Sequence, residues 1–142
     1  DEKLTLSFFK ENHELNNSDF LKMIKENILQ LSISDSTFII FISSQSCNAC
    51  CVDLFATLKE NKISADQLYL ITESPDQLLK RDWKTFGFKN FDHKKLSLFD
   101  HFPEKEHIVI AKFINKYRPV SCLVYKPEYS KLVNEIFTGF KF

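Results

Sequence analysis

The stretch Phe38-Ile39-Ile40-Phe41-Ile42-Ser43-Ser44-Gln45-Ser46-Cys47-Asn48-Ala49-Cys50-Cys51 decides how the rest of this chain reads. Its first five residues form an unbroken β-branched and aromatic run inside the segment Ser36 to Ser43. A strand without polar alternation is one covered on both faces, as in the middle of a parallel sheet. The polar Ser43-Ser44-Gln45-Ser46 ends the run. From there the apolar spacing becomes helical, through Cys47, Cys51, Leu54, Phe55 and Leu58.

Working outward, Gln67 to Thr72 predicts a second strand and Pro75 to Phe86 a second helix, with Pro75 suited to its first turn. Upstream, Leu4 to Phe9 predicts a short strand, and Ser18 an N-cap for a helix carrying Phe20, Leu21, Ile24, Ile28 and Leu31. Strand and helix alternating in this order predict an α/β fold with right-handed crossovers. Residues 87–106 mix Phe88, Phe91, Leu96, Leu98, Phe99 and Phe102 with basic residues, show no period, and read as an insertion before the last strands. His107 to Tyr117 fits helix or strand. Val120 to Tyr125, after Pro119, is a strand. Leu132 to Phe137 reads as an antiparallel strand, with a helix over Glu128 to Phe137 as the competing reading. No repeat or linker interrupts the sequence, which predicts one domain over 1–142.

Composition removes several function classes. The chain has 142 residues and is 44% hydrophobic, enough for one real core. Nineteen basic residues balance nineteen acidic ones, so no overall charge favours nucleic acid or an acidic membrane. With Gly87 and Gly139 as the two glycines, neither a P-loop nor a dinucleotide fingerprint can be built. The same scarcity forbids the usual nucleophile elbow of a Ser–His–Asp hydrolase. The longest apolar run is too short to span a bilayer. The chain opens at Asp1 with no Met and no signal-like apolar segment, which leaves open a trimmed start or a removed export signal.

Chemistry concentrates at Cys47-Asn48-Ala49-Cys50. Two cysteines three residues apart at a helix start can close a strained disulfide, and the first meets the unpaired N–H groups and positive end of the helix. Cys47 is then the exposed nucleophile, and Cys50 resolves the mixed disulfide. Cys51 falls on the apolar stripe and reads as a small hydrophobe, although a Cys47–Cys51 exchange stays open; Cys122 reads as core. Lys80, Arg81, Lys84, Lys89, Lys94 and Lys95, interleaved with Trp83, Phe86, Phe88 and Phe91, have the composition of a single-strand nucleic-acid platform. One apolar helix face beside a solvated basic face explains them better. His13, His93, His101 and His107 show no zinc spacing. Cys47 with Cys50 or Cys51 and a distant histidine such as His107 forms a Cu(I)-type donor set.

Strand, C-x-x-C, helix, strand, helix, then an isolated proline before a strand resembles the thioredoxin-like fold, in a layout similar to the exported TlpA-like thiol–disulfide oxidoreductases of bacteria. The resemblance covers most of residues 36–138, with 1–31 supplying an opening strand and helix. It implies a thioredoxin-like α/β domain with a central mixed sheet flanked by helices, Cys47 as attacking thiol and Cys50 as its partner. It also implies Pro119 as a cis proline set against the disulfide, with Arg118 and Pro119 presenting backbone to a substrate segment. Protein disulfides would be the substrates, with no organic cofactor, no nucleic acid, and a periplasmic or exported location, with membrane attachment through a removed N-terminal anchor as an option; a cytoplasmic setting stays open. Ser46 stands where the family commonly carries Trp, Asn48-Ala49 where Gly-Pro or Pro-His pairs are usual, and Val120 where Thr is common. The Cys47–Cys51 spacing also resembles the Sco-type copper chaperones of the same fold. A non-catalytic thioredoxin-like interaction module is the third reading.

Overall fold

A computed structural model describes residue 26, residues 37–73, 77–93, 99–100, 108–115, 118–125 and 127–132, and residue 137. In chain order the elements are β1 (Thr37–Ile42), α1 (Asn48–Glu60), a 3-10 turn (Ala65–Gln67), β2 (Leu68–Thr72), α2 (Gln77–Thr85), β3 (Phe91–His93), β4 (Ile108–Asn115), β5 (Arg118–Tyr125) and a 3-10 helix (Pro127–Leu132). The strands form one five-stranded mixed sheet ordered β3-β2-β1-β4-β5. β1, β2 and β3 run parallel; β4 is antiparallel to β1, and β5 to β4.

β1 is central and buried on both faces, as its unbroken apolar run predicts. Side chains alternate across a strand. Phe38, Ile40 and Ile42 join Leu68, Leu70, Ile108 and Ile110 in the core under α1. Ile39 and Phe41 point the other way and are equally buried, with Ile71, Val109 and Ala111. On that second face Phe41 meets Phe99 edge-on, ring centroids 6.3 Å apart. Cys51, Leu54, Phe55 and Leu58 form the buried stripe of α1. Full burial of a Leu or Phe side chain contributes about 1.5–3 kcal/mol, so this stripe fixes α1 on the sheet. Trp83 of α2 packs edge-on against Phe55 at 4.9 Å, placing both helices over the same face.

Both helices end in the same way. After α1, Ile63 N–H donates to Leu58 O and Lys62 N–H to Lys59 O, with Lys62 at φ 55°. After α2, Phe88 N–H donates to Trp83 O and Gly87 N–H to Lys84 O, with Gly87 at φ 90°. Each is a Schellman motif with its hydrophobic contact. In the second, that contact is Trp83 against Phe88, centroids 4.6 Å apart.

Several expectations are settled here. The ambiguous segment after His107 is strand β4. The 87–106 segment is more than an insertion: it supplies β3, outermost among the described strands beside β2, and the buried Phe99. β3 has three residues, too few to display a period. Pro127–Leu132 is 3-10 helix, so the helical alternative holds there, and the antiparallel strand expected from Leu132 does not start at that residue. Phe137, also helical, packs tilted against Phe38, ring centroids 4.7 Å apart. The strand expected over Leu4 to Phe9, the Ser18 cap, Phe20, Leu21, Ile24, Ile28, Leu31 and Pro75 lie outside the described residues, as does His107.

Candidate functional site

The site grows from the end of β1. Where the chain leaves the sheet it makes a tight turn: Ser46 N–H donates to Ser43 O at 3.2 Å, and Gln45 N–H to Ser43 Oγ at 3.3 Å. Ser43 is buried, and its Oγ lies 3.4 Å from Ser46 Oγ. A second tether comes from the residue after β2. Glu73 N–H donates to Ile42 O at 3.0 Å, extending the parallel ladder, while its carboxylate accepts Ser44 N–H at 2.9 Å.

Cys47 follows this turn as the N-cap of α1, with extended backbone (φ −67°, ψ 121°). The helical spacing begins at Cys47, yet its side chain stands off the buried stripe, exposed as expected of the nucleophile. An N-cap side chain folds back onto the first-turn N–H groups instead of continuing the helical face. Cys47 is exposed, and its Sγ accepts Cys50 N–H at 3.2 Å. The helix places no acidic residue in its first turn, where one would offset its positive end.

The two thiols sit in opposite settings. Cys47 lies below the ordinary thiol value because the Cys50 thiol donates to it, and because the Cys50 and Ala49 N–H groups add to that against a smaller desolvation. Cys50 is pushed up to about 11: its proton is held by Cys47, it is partly desolvated, and the Cys47 charge and then Asp53 oppose a second anion. Cys51 N–H donates to Cys47 O at 3.1 Å, while its side chain is buried in the core. All three are thiols.

Arg118 and Pro119 are not brought to this site. Pro119 pairs with Phe113, which pairs with Thr37 at the start of β1. The cysteines follow the other end of β1, at Ile42, five residues on from Thr37, about 17 Å at ~3.3 Å per residue. No cis peptide bond occurs among the described residues, which include Arg118 and Pro119. Pro119 instead lies in β5, outermost among the described strands, where the β4–β5 register shifts, a place where a sheet tolerates a residue with no N–H. The β5 residue at the cysteine end is Tyr125, opposite Ile108. Its hydroxyl is buried without a hydrogen-bond partner among the described residues. Desolvation, with Asp53 nearby, pushes it up to about 12. Cys122 lies in β5 opposite Ala111.

The basic stretch reads as the sequence suggests. Trp83 and Phe88 are buried, and Lys59 and Lys80 lie over the rings of Phe86 and Phe91, each at 5.9 Å. Lys80, Arg81, Lys84 and Thr85 line an open groove of about 510 Å³ on the outer side of α2. No cluster of three or more His, Cys, Asp or Glu side chains able to hold a metal occurs among the described residues.

Sequence reasoning missed Glu73, Asp53 and Tyr125. A signal for Glu73 existed: in a βαβ unit the residue after the second strand lies beside the loop that leaves the first. No family model matches the chain, and no curated protein or solved structure matches it significantly.

Proposed function

We propose that this protein is a thiol–disulfide oxidoreductase acting on protein disulfides, with Cys47 as nucleophile and Cys50 as resolving thiol. One observation carries the reading. Cys47 is the exposed N-cap of α1 and its sulfur accepts a backbone N–H, while Cys50, one turn on, retains its proton. A thiolate is the attacking form, and N–H groups at a helix start favour it. The mixed α/β sheet and the cysteine pair at a helix start are compatible with the thioredoxin-like fold.

In the reducing direction, the Cys47 thiolate attacks one sulfur of a substrate disulfide. A Cys47–substrate bond forms and the other substrate sulfur leaves as thiolate. Once Cys47 is in the mixed disulfide it no longer accepts the Cys50 proton, and its own charge no longer opposes Cys50 ionisation. Cys50 then gives its proton to solvent and attacks Cys47 Sγ. The substrate's second sulfur leaves, and the two electrons it gained are matched by the Cys47–Cys50 bond. Cβ atoms one helical turn apart lie about 5–6 Å from each other, so closing that bond takes a small local adjustment and yields a reducible disulfide.

A polypeptide substrate suits the surroundings. Asn48, Ala49 and Val52 are exposed beside Cys47, and Val52 is the large apolar side chain exposed among the described residues, at 39%. Ala49 and Val52 offer a polypeptide apolar packing surface next to the nucleophile. The test is capture. The Cys50→Ser variant should hold a disulfide-bonded polypeptide substrate as a stable mixed disulfide through Cys47. Release at the wild-type rate from that variant would refute the assignment of Cys50.

A further inference from the structure

We propose that Glu73 is a positioning residue for the thiol site, holding the Ser43–Ser46 turn so that Cys47 sits over the first N–H groups of α1. It acts through two bonds to the segment that delivers Cys47. Its own N–H is fixed on Ile42 O, the last carbonyl of β1, and its carboxylate takes the N–H of Ser44, two residues further on. The backbone anchor is part of the sheet ladder, so the carboxylate reaches out from a rigid base. Bonds to a charged acceptor are stronger than neutral ones. From Ser44 the turn continues through the Ser43–Ser46 bonds directly into the extended Cys47.

The geometry being held is demanding. Hydrogen bonds weaken steeply as the donor angle closes, and the Cys50 N–H meets Cys47 Sγ at 3.2 Å, a close approach for a sulfur acceptor that a shifted side chain would lose. A loosened turn lets the Cys47 side chain leave the helix end for water, and the thiolate loses its donors. Glu73 does not touch the reacting sulfur, so its contribution is orientation. The proposal rests on the thiol–disulfide reading only for its consequence in turnover; the placement of Cys47 stands on the hydrogen bonds.

The experiment is the site-resolved rate of Cys47 alkylation by iodoacetamide across pH, read by mass spectrometry on reduced protein. The variants are Glu73→Gln, Glu73→Ala and Ser44→Pro. Proline removes the Ser44 N–H while suiting the second position of the turn, so Ser44→Pro cuts the same bond from the donor side if Glu73→Ala misfolds. Far-UV circular dichroism confirms folding of each. Glu73→Ala and Ser44→Pro are expected to move the Cys47 midpoint upward and to slow alkylation at neutral pH by roughly tenfold, the equivalent of one pKa unit. Glu73→Gln keeps an acceptor and should stay near wild type. Folded Glu73→Ala and Ser44→Pro with the wild-type midpoint would overturn the proposal, as would a Glu73→Gln midpoint equal to that of Glu73→Ala. Disulfide formation in redox buffer is scored on the same samples. A moved midpoint without any Cys47–Cys50 disulfide would reject the redox reading and leave the role of Glu73. A disulfide with an unmoved midpoint would do the reverse.

Discussion

Cys47 and Cys50 are chemically the same side chain, and one helical turn separates their behaviour. Cys47 accepts hydrogen bonds from the helix start and lies low; Cys50 is pushed up to about 11. Raising the pH therefore ionises Cys47 first, and Cys47 should dominate alkylation from neutral pH upward. In Cys47→Ser the charge facing Cys50 is gone, so the Cys50 midpoint should fall, measured by the same site-resolved alkylation. A Cys50 that outreacts Cys47 at neutral pH would reverse the assignment. Tyr125 gives a second prediction at this scale. Its hydroxyl is buried and unpartnered among the described residues, and a buried unsatisfied polar group costs about 1–3 kcal/mol. Tyr125→Phe should thus hold or raise the urea midpoint. The alkaline sign also follows. The unfolded chain loses the tyrosine proton near 10 while the folded chain keeps it to about 12, so stability falls as pH rises above the ordinary value. Tyr69, donating to Asp92 at 3.0 Å and also pushed up to about 12, contributes in the same direction. Tyr125→Phe should weaken that alkaline loss and Tyr69 should preserve the remainder.

The elements show where sequence is informative. The β1 run and the α1 stripe of Cys51, Leu54, Phe55 and Leu58 were legible because burial imposes a pattern on many residues at once. Leu54→Ala and Phe55→Ala should each cost about 2–5 kcal/mol in a denaturant titration. Cys47 shares the spacing of that stripe but is exposed, as expected of the nucleophile, because a cap belongs to the turn and not to the buried face. β3 was invisible because its pairing with Leu70, Ile71 and Thr72 is what makes it a strand. Helix ends offer a paired test. Gly87 has a positive φ and nothing within 4 Å of where a Cβ would stand, so Gly87→Ala isolates backbone cost. The expected loss is about 1–2 kcal/mol. Lys62 holds the same left-handed role without being glycine, so Lys62→Gly should stabilise the chain by up to about 1 kcal/mol. Opposite signs in thermal melts would support both caps; a neutral Gly87→Ala would count against the left-handed assignment.

At the scale of the whole molecule, the alternation of strand and helix was enough to predict an α/β fold with C-x-x-C leaving a buried strand, while the mixed sheet was implied by the thioredoxin-like resemblance. What the alternation does not carry is register. Pro119 precedes a strand in the sequence as the resemblance asks, yet the antiparallel pairing of β5 with β4 places Pro119 level with the far end of β1 and Tyr125 level with the cysteine end. Glu73 is hidden for a related reason: it meets Ser44 across 29 positions of chain, through two parallel strands that end level. The site is thus a local motif in sequence and a convergence of β1, α1 and the end of β2 in space. The most direct test of its chemistry is a redox titration of wild type and Cys47→Ser in graded thiol/disulfide buffers, read by alkylation and mass spectrometry. A reversible two-electron step joining Cys47 to Cys50, absent from the variant, is the expected result. Thiols that stay reduced through the whole series, with Cys47 no more reactive than an unstructured cysteine, would contradict it.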